Sequence, residues 1–599
     1  MLFRSSAARG SEALGRFLAS RNDPKARALL YAASKVEDLP RNVSLHAAAV
    51  VISPGPLSER IPLFGTPEDS RTQCDMFAVE RMGLLKMDVL GLRTLTIIDD
   101  IVKMAAEAGE KIDLENLPAN DPAALDIIAS GDTIGVFQLE SEGMKRVLRR
   151  LKPRDFRDII AVLALYRPGP MQHIDTFISR HNGEEEVVYV HPKLSRVLKE
   201  TYGIMLYQEQ VMQALHNILG YSMSNADIFR QIMSKKKVAL MEKERTKFME
   251  CARQKKIPPE VAEKLYGDIA SFAGYGFNKS HAAAYAALAY RMAYLKGRYP
   301  ALFCAGLLNA HLGDHAYAMA LLKETRRFGF GIKGPDVNSS KAWHSASKGA
   351  EGSWSLNFGL TGVRNVGDKL AEAVVAEREK NGPFTSLENF CLRLERKYLQ
   401  PQSVDNLVKA GCFDFTGKTR RELATLAADL VQSGTPRSES SFQRSFFSPL
   451  KNESRKEEWP REEKIRYEQE ALGVCVSEHP LEAWRAFWNE KTTASSEDLA
   501  EISRKEPGRA VIMGGLITFV RRRTNRRGGT YTVVKMEDFQ GDFEVMLWDE
   551  ASDKYSRILK AGEVWFLKGR VREGRENSAP NVWGMVFKRF SPDGKELEQ

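Results

Sequence analysis

The feature that most constrains the fold is a long helical middle followed by a run of short strands. Between residues 93 and 345 apolar residues recur at helical spacing, broken only by short loops. From about residue 508 the pattern changes to five short segments with polar turns between them: Ala510–Val520, Thr530–Glu537, Phe543–Trp548, Val564–Val571 and Val582–Phe587. A chain of 599 residues with both patterns is predicted to be a multidomain α+β protein.

One strand, predicted within Leu84–Leu92, carries residues suited to phosphate chemistry. Alternation along a strand places Lys86 and Asp88 on one face. The apolar side chains on the other face are expected to enter a core: Leu85, Met87 and Val89. Carboxylates bind Mg²⁺ and a lysine can pair with phosphate, although an ordinary salt bridge would look the same in sequence. The strand predicted within Leu45–Ser53 is close enough in the chain to pair with this one.

Several loops of the helical middle are rich in cations or glycine. The last of them brings Lys279 and Ser280 to the start of an alanine-rich helix, where backbone amides can bind a phosphate. The others are Met144–Leu151, Tyr166–Pro170 and Phe229–Lys237. Together they indicate a phosphate-binding surface, and each one alone could be a solvated helix face.

A glycine-marked turn at Gly362–Lys369 resembles the hairpin of a helix-hairpin-helix module. Such a hairpin presents backbone amides to a DNA phosphate without reading the base sequence. The alternative is a plain glycine turn between two packed helices. Candidate DNA-binding residues in this turn are Gly362, Arg364, Gly367 and Lys369.

Residues 433–460 form a polar linker that is expected to be disordered. It contains Gln443-Arg444-Ser445-Phe446-Phe447, and two adjacent phenylalanines are costly to leave in water. They indicate a short peptide that docks in the groove of a partner, unless they fold back on their own domain.

The five C-terminal strands fit a small β-barrel of the oligonucleotide-binding (OB) kind. Its first hairpin is strongly basic and lies beside Phe519 and Tyr531, an arrangement typical of single-strand binding: Arg521, Arg522, Arg523, Arg526 and Arg527. The same cations could instead contact a partner protein.

Composition supports a cytoplasmic protein with a polyanionic partner. The net charge is +10 and the pI is near 9.1. No apolar run approaches the roughly 20 residues that span a bilayer, and the first residues lack the apolar core of a signal peptide. The six cysteines are scattered, which predicts reduced thiols.

The order of the motifs is specific enough to indicate a family. The sequence resembles the alpha subunits of bacterial DNA polymerase III in segments that follow that family's order: HAAAVVIS (46–53), KMDVLGLRTLT (86–96), GVFQLESEGM (135–144), YRPGPM (166–171), MLYQEQVM (205–212), SKKK (234–237) and FAGYGFNKSHAAAYA (272–286).

The resemblance implies six regions. They are a thumb remnant with the later part of a nucleotidyltransferase-like palm (1–92), helical fingers (93–345), a duplex-binding helix-hairpin-helix region (346–432), a sliding-clamp tether (433–460), a helical connector (461–507) and an OB-fold (508–599).

The resemblance also implies two-metal nucleotidyl transfer with Mg²⁺, deoxynucleoside triphosphates, primer-template DNA, the sliding clamp and other polymerase III holoenzyme subunits. Asp88 matches a metal-binding carboxylate and Lys86 its phosphate-binding neighbour. The incoming nucleotide is expected at finger residues Arg167, Arg230, Lys235, Lys279 and His281. Clamp binding is expected at Gln443, Phe446 and Phe447.

The sequence departs from the family pattern in one respect, and this leaves two functional hypotheses. The family's paired palm aspartates should lie on a strand before residue 1, and the first 85 residues contain no Asp-x-Asp pair. The chain is therefore expected to be inactive alone and to act as a fragment or split subunit with a separate N-terminal half. The alternative is a non-catalytic, clamp-tethered DNA-binding protein.

Overall fold

The computed structural model describes most of the chain from residue 46 onward. The described ranges are 46, 48–66, 69–89, 91–167, 169–234, 238–273, 277–325, 328–349, 352–432, 457–477, 481–524, 530–572 and 581–597, with isolated positions between 24 and 36. Two compact units make up the fold, residues 1–93 and 94–599. Within the described ranges no helix combines the length and apolar character needed to cross a bilayer.

The first unit contains two small sheets and one short helix. Strand β1 (Ala49–Ile52) pairs antiparallel with β4 (Leu85–Asp88), and β2 (Leu63–Phe64) pairs with β3 (Arg71–Thr72). Helix α1 (Met76–Arg81) begins at Asp75, whose carboxylate accepts the Ala78 amide. A small core forms below them from Ile61, Val79 and Leu84. The predicted pairing of the two strands is confirmed.

The second unit begins with helices, as the apolar periodicity predicts. They are α2 (Arg93–Glu107), α3 (Pro122–Ser130), α4 (Glu142–Leu151), α5 (Phe156–Leu165), α6 (Ile174–Asn182), α7 (Ser195–Leu198), α8 (Gln208–Ala214), α9 (Met223–Ser234), α10 (Val238–Gln254), α11 (Pro259–Ala273), α12 (Lys279–Arg298), α13 (Pro300–Ala310) and α14 (His315–Thr325).

These helices pack around two hydrophobic cores. The larger core is centred on α5, α12 and α13 and extends into the region after residue 337. The second core lies between Leu194 and Ile269 and includes Phe229 and Phe248. Helix α8 joins the two, because the residues just before it belong to the larger core and Val211 belongs to the second core.

A three-stranded sheet and four helices follow. Strand β7 (Trp354–Asn357) lies between β5 (Gly331–Lys333) and β6 (Ser345–Lys348). The helices are α15 (Asp368–Asn381), α16 (Leu387–Arg393), α17 (Pro401–Lys409) and α18 (Arg420–Gln432). The backbone of the turn before α15 passes close to His344. A Cβ on Gly362 would lie 2.5 Å from that imidazole. Only glycine fits this close approach.

Three connector helices lead to the C-terminal barrel: α19 (Arg461–Leu472), α20 (Arg485–Lys491) and α21 (Leu499–Lys505). The barrel consists of β8 (Ala510–Thr524), β9 (Thr530–Glu537), β10 (Asp542–Trp548), β11 (Val564–Val571) and β12 (Asn581–Phe590), with α22 (Asp549–Tyr555) and the short β13 (Glu596–Leu597). Parallel pairing of β10 with β12 closes it. The predicted OB barrel is confirmed, and its first strand extends further than expected.

Candidate functional site

Lys86 and Asp88 lie side by side on β4, as alternation predicts. The Lys86 ammonium is 2.6 Å from Asp88 Oδ1, and the two side chains are 16% and 43% exposed. The hydrogen bond from Lys86 holds the pKa of the Asp88 carboxyl below its usual value. The carboxylate is therefore ionised at neutral pH and open to a further ligand.

The metal site expected at Asp88 is incomplete in the described part of the chain. No group of three or more His, Cys, Asp or Glu side chains is placed there to share an ion. A two-metal site needs several carboxylate oxygens around each Mg²⁺, so Asp88 by itself does not fit the group.

The other face of β4 differs from its prediction. Leu85, Met87 and Val89 were expected to enter a core, and all three are exposed. The core of this unit lies on the opposite face, where Val51 of β1 packs against it. Alternation correctly separated Lys86 and Asp88 from the apolar side chains. The expectation that the apolar side chains would be buried was wrong.

Four of the five predicted nucleotide-binding residues gather around one junction in the fingers. Tyr207 and Phe277 form an isolated β-bridge, and the Gln208 amide donates to the Phe277 carbonyl at 2.9 Å. Arg230 reaches the same place from α9, donating to Gln208 Oε1 at 3.2 Å and to Asp227 at 2.8 Å. The fifth predicted residue, Lys235, lies outside the described residues.

Arg167 and His281 contact this junction through a column of rings. The Arg167 guanidinium lies 3.9 Å from the Phe277 ring centroid, a cation–π contact. His281 follows at 5.3 Å from Phe277 and 4.2 Å from Tyr285. Phe137 of the GVFQLESEGM segment completes the column at 5.1 Å from Tyr285.

Lys279 begins α12, and carboxylates already occupy its binding groups. Its backbone amide donates to both Glu209 oxygens at 3.1 and 3.2 Å. Its ammonium donates to both Glu200 oxygens at 2.7 and 2.8 Å. A helix N-terminus favours an anion, and here Glu209 supplies it from within the protein. Glu209 thus occupies the helix start at which a phosphate was predicted, and phosphate binding there stays a prediction.

The predicted DNA-binding turn has fewer free amides than expected. The Arg364 amide donates to the Ala471 carbonyl at 2.8 Å, and the Gly362 amide donates to Gly359 at 3.1 Å. At the start of α15, Gly367 has no side-chain cap. The amides of the first turn, up to Lys369, are therefore the groups of this module that suit a phosphate.

Cations and aromatic rings lie on neighbouring strands of the barrel. Arg521, Arg522 and Arg523 lie within β8 opposite Val533, Thr532 and Tyr531, whereas they were predicted in the hairpin turn. Tyr531 stacks on Trp548 at 4.8 Å, and Trp583 follows at 6.0 Å. Arg572 covers the Trp583 ring at 3.4 Å. Arg526 and Arg527 lie outside the described residues, as do the clamp-binding candidates Gln443, Phe446 and Phe447.

Nothing in the sequence indicated a buried ionic cluster that joins α12, α14 and the segment before α4. Lys296 of α12 is fully buried and donates to Glu324 of α14 and, at 2.7 Å, to the Ile134 carbonyl. Burial lowers the pKa of Lys296 despite this carboxylate partner. Lys145, expected among the surface cations of α4, is buried as well, 3.8 Å from Glu324. Two residues 28 positions apart on different helices leave no local signal.

A second buried polar pair, also missed, joins α6 to α5. His181 Nε2 lies 3.1 Å from Asp158 Oδ2, and its Nδ1 lies 3.1 Å from Asn182. Burial lowers the pKa of His181, but these hydrogen bonds outweigh burial and the net pKa is raised.

Comparison with known proteins places these sites in a family context. Residues 94–256 match the finger domain of the bacterial DNA polymerase III alpha subunit, and residues 7–91 match that subunit's NTPase domain. Residues 329–423 match a helix-hairpin-helix motif, and residues 511–593 match an OB-fold nucleic acid binding domain.

Relatives match along nearly the whole chain. The chain is 39% identical to the DNA polymerase III alpha subunit of Thermus aquaticus over 589 residues, covering 96% of this chain and 48% of that protein. It is 35% identical to the Escherichia coli K12 subunit over 573 residues, covering 92% and 49% respectively. The chain thus spans about half the length of the relatives it matches.

Proposed function

Because this chain belongs to the bacterial DNA polymerase III alpha-subunit family, we propose that it takes part in template-directed DNA synthesis during chromosome replication. Residues 1–92 contribute part of the palm and residues 93–345 the fingers that hold the incoming deoxynucleoside triphosphate. Residues 346–432 hold the primer-template duplex, residues 433–460 bind the sliding clamp, and residues 508–599 hold single-stranded template.

The observation that carries this proposal is the convergence of Arg167, Arg230 and Lys279 at the Tyr207–Phe277 bridge. Each cation arrives from a different segment, so the cluster does not arise from one solvated helix face. A triphosphate carries several negative charges and pairs well with such a cluster. Two of the cations form ion pairs with carboxylates, Arg230 with Asp227 and Lys279 with Glu200.

Competition between these carboxylates and the triphosphate predicts opposite effects for two kinds of variant. Lys279→Ala and Arg230→Ala each remove a charge-assisted contact and should weaken binding of a fluorescent deoxyadenosine triphosphate about tenfold or more. Glu200→Gln releases the Lys279 ammonium and should tighten binding several-fold, by roughly 1 kcal/mol or less. Fluorescence anisotropy measures all three.

A matched control is Lys341→Ala, which breaks an ion pair with Glu107 that is also 2.7 Å long, away from the junction. Its affinity for the labelled nucleotide should equal that of the parent. Equal affinity for parent, Lys279→Ala and Arg230→Ala would refute nucleotide binding at the junction. Weaker binding by Glu200→Gln would mean that the Lys279–Glu200 pair is structural.

The second candidate function is DNA binding without nucleotidyl transfer, in a protein tethered to the clamp. Its supporting observation is that Asp88 is not joined by further metal-binding side chains among the described residues. Primer extension with Mg²⁺ and four deoxynucleotides, in a complex reconstituted with the unmatched half of a relative's subunit, separates the two. Extension that is lost in Asp88→Ala supports the polymerase. Primer-template binding that is identical in the parent and in Asp88→Ala, with no extension under any condition, supports the binding protein.

A further inference from the structure

A cavity of about 240 Å³ lies between the two hydrophobic cores of the fingers. Leu165 and Leu206 in its wall belong to the larger core, and Leu194 and Leu198 belong to the second core. Folded proteins contain few voids larger than a water molecule, so unfilled space of this size between packed cores is unusual. The volume is close to the lower limit of pockets that hold small organic ligands, about 300 Å³. The space therefore suits a molecule of one or two rings.

The inner wall of this cavity is apolar and its mouth is polar. The four leucines have exposed fractions of 3% or less, and Met205 and Phe272 are half-buried beside them. Three polar residues of the lining are exposed and mark the mouth: Gln172, His173 and Asp268. Ligand sites have this composition, because apolar walls cover most of the ligand and a few polar groups orient it.

The Asp268 carboxylate at the mouth has no direct partner. Among the described residues it forms no hydrogen bond or ion pair, and Lys264 and His173 act on it only by longer-range attraction. Although Asp268 is exposed overall, partial burial of its carboxyl raises the pKa. Arg180, the cation of the lining, is already bound to Glu185 at 2.9 Å. A ligand that brings positive charge and N–H donors to Asp268 would therefore offset the lost hydration of this carboxylate.

We propose that this cavity binds a small flat organic cation, with its ring between the two cores and an amidinium or guanidinium group on Asp268. A planar amidinium presents two parallel N–H donors that match the two oxygens of a carboxylate. The fingers junction is a different site, because its cations suit an anion and the mouth of the cavity suits a cation. Asp268 and the leucines of the wall take no part in the proposed nucleotide site, so the two proposals are independent.

Benzamidine and benzamide are matched probes for this site. They have nearly the same shape, and only benzamidine is charged at neutral pH. Each is titrated into the full 599-residue chain and followed by saturation-transfer difference NMR of the probe. Benzamidine should bind with a dissociation constant of about 1 mM or lower, and benzamide should bind at least about tenfold more weakly.

Two aspartate variants test the role of the carboxylate. Asp268→Asn keeps the size of the side chain and removes its charge, so benzamidine should bind about tenfold more weakly. Asp126→Asn makes the same change at an exposed residue of α3 outside the cavity and should leave the affinity unchanged. Because both aspartates are exposed, both variants should unfold at the same temperature as the parent.

Two threonine variants test the apolar part of the cavity. Thr176 of α6 is half-buried in the cavity wall, so the ring of Thr176→Phe should fill the space and abolish binding of both probes. Thr246→Phe adds the same ring at an exposed position of α10 outside the cavity and should bind benzamidine as the parent does.

Equal affinity of the parent and Asp268→Asn for benzamidine would overturn the proposal. Equal affinity of the parent for benzamidine and benzamide would do the same, because either result removes the role of the carboxylate. Undiminished binding by Thr176→Phe would place the probe outside the cavity. Absence of binding to the parent at up to about 5 mM benzamidine would mean that the space holds only water. Nucleotide binding at Lys279 and Arg230 is measured with a different probe, so either proposal can fail without the other.

Discussion

Lys296→Met removes a buried ammonium whose two hydrogen bonds hold the segment before α4 against α12 and α14. The Ile134 carbonyl loses its donor at 2.7 Å and becomes an unsatisfied buried acceptor, which costs about 1–3 kcal/mol. Glu324 loses its closest cation but keeps the Ile134 amide at 3.1 Å and Lys145 at 3.8 Å. The total is therefore at the low end of the range for a broken buried pair, about 3 kcal/mol.

The effect should also reach the fingers junction. Phe137 follows Ile134 by three residues and packs against Tyr285, which in turn contacts His281. Looser packing at Ile134 should therefore increase the mobility of the ring column as well.

Native-state hydrogen exchange measures this cost locally, which suits a chain with several cores. Amides of residues 134–141 should exchange about a hundredfold faster in Lys296→Met, because 1.4 kcal/mol corresponds to a factor of ten. The double variant Lys296→Met/Glu324→Gln should recover part of the lost stability, because it no longer contains a buried carboxylate whose closest cation has been removed.

The neighbouring lysine provides the control. Lys323 is partly exposed and pairs with Asp542 at 2.6 Å and Glu537 at 3.2 Å. The same change, Lys323→Met, should cost less than about 1 kcal/mol. An exchange change below tenfold in Lys296→Met, or a double variant no better than the single one, would refute the view that this pair stabilises the segment.

Three further predictions concern the hairpin, a buried histidine and the barrel. Gly362→Ala should lower the unfolding temperature because its Cβ meets His344 at 2.5 Å, whereas Gly367→Ala, with nothing within 4 Å, should not. The pKa of His181 is raised, so the stabilisation that its protonated form provides is fully present below pH 6.5 and is lost as the pH rises through the folded-state pKa. The difference in unfolding free energy between the parent and His181→Gln, measured by urea unfolding, should therefore decrease as the pH rises through that range. Trp548→Ala should weaken binding of oligo-dT by roughly 1–3 kcal/mol in a fluorescence titration while duplex affinity is unchanged, and equal losses on both would contradict base stacking.

Local patterns predicted the elements that local forces determine. The alternation of apolar residues gave the barrel strands, and helical spacing gave the long fingers helices. The first barrel strand extends through Thr524 because its arginines pair with Thr530–Val533, a partner that the arginine run itself does not reveal. The run of arginines, taken by its charge alone, had favoured a hairpin turn at residues 521–524.

Features that depend on distant partners were not predictable in the same way. The carboxylate at the start of α12 comes from Glu209, 70 residues earlier in the chain. The Lys296–Glu324 cluster likewise requires knowing which helices pack together. Asp88 and Lys86 were predictable because alternation along one strand fixes their relation.

One short helix, α8, connects the two hydrophobic cores on either side of the fingers junction. Helix α8 has seven residues and is therefore about 10 Å long, with Tyr207 anchored in the larger core and Ala214 in the second. A rotation of about 10° around the Tyr207 end would move the Ala214 end of this helix by roughly 2 Å. If the proposed nucleotide site is correct, an anion held by both Arg230 and Lys279 would link the helices of the two cores and oppose that rotation. Under the proposed function, the orientation of the helices around the second core would therefore depend on whether the junction holds an anion.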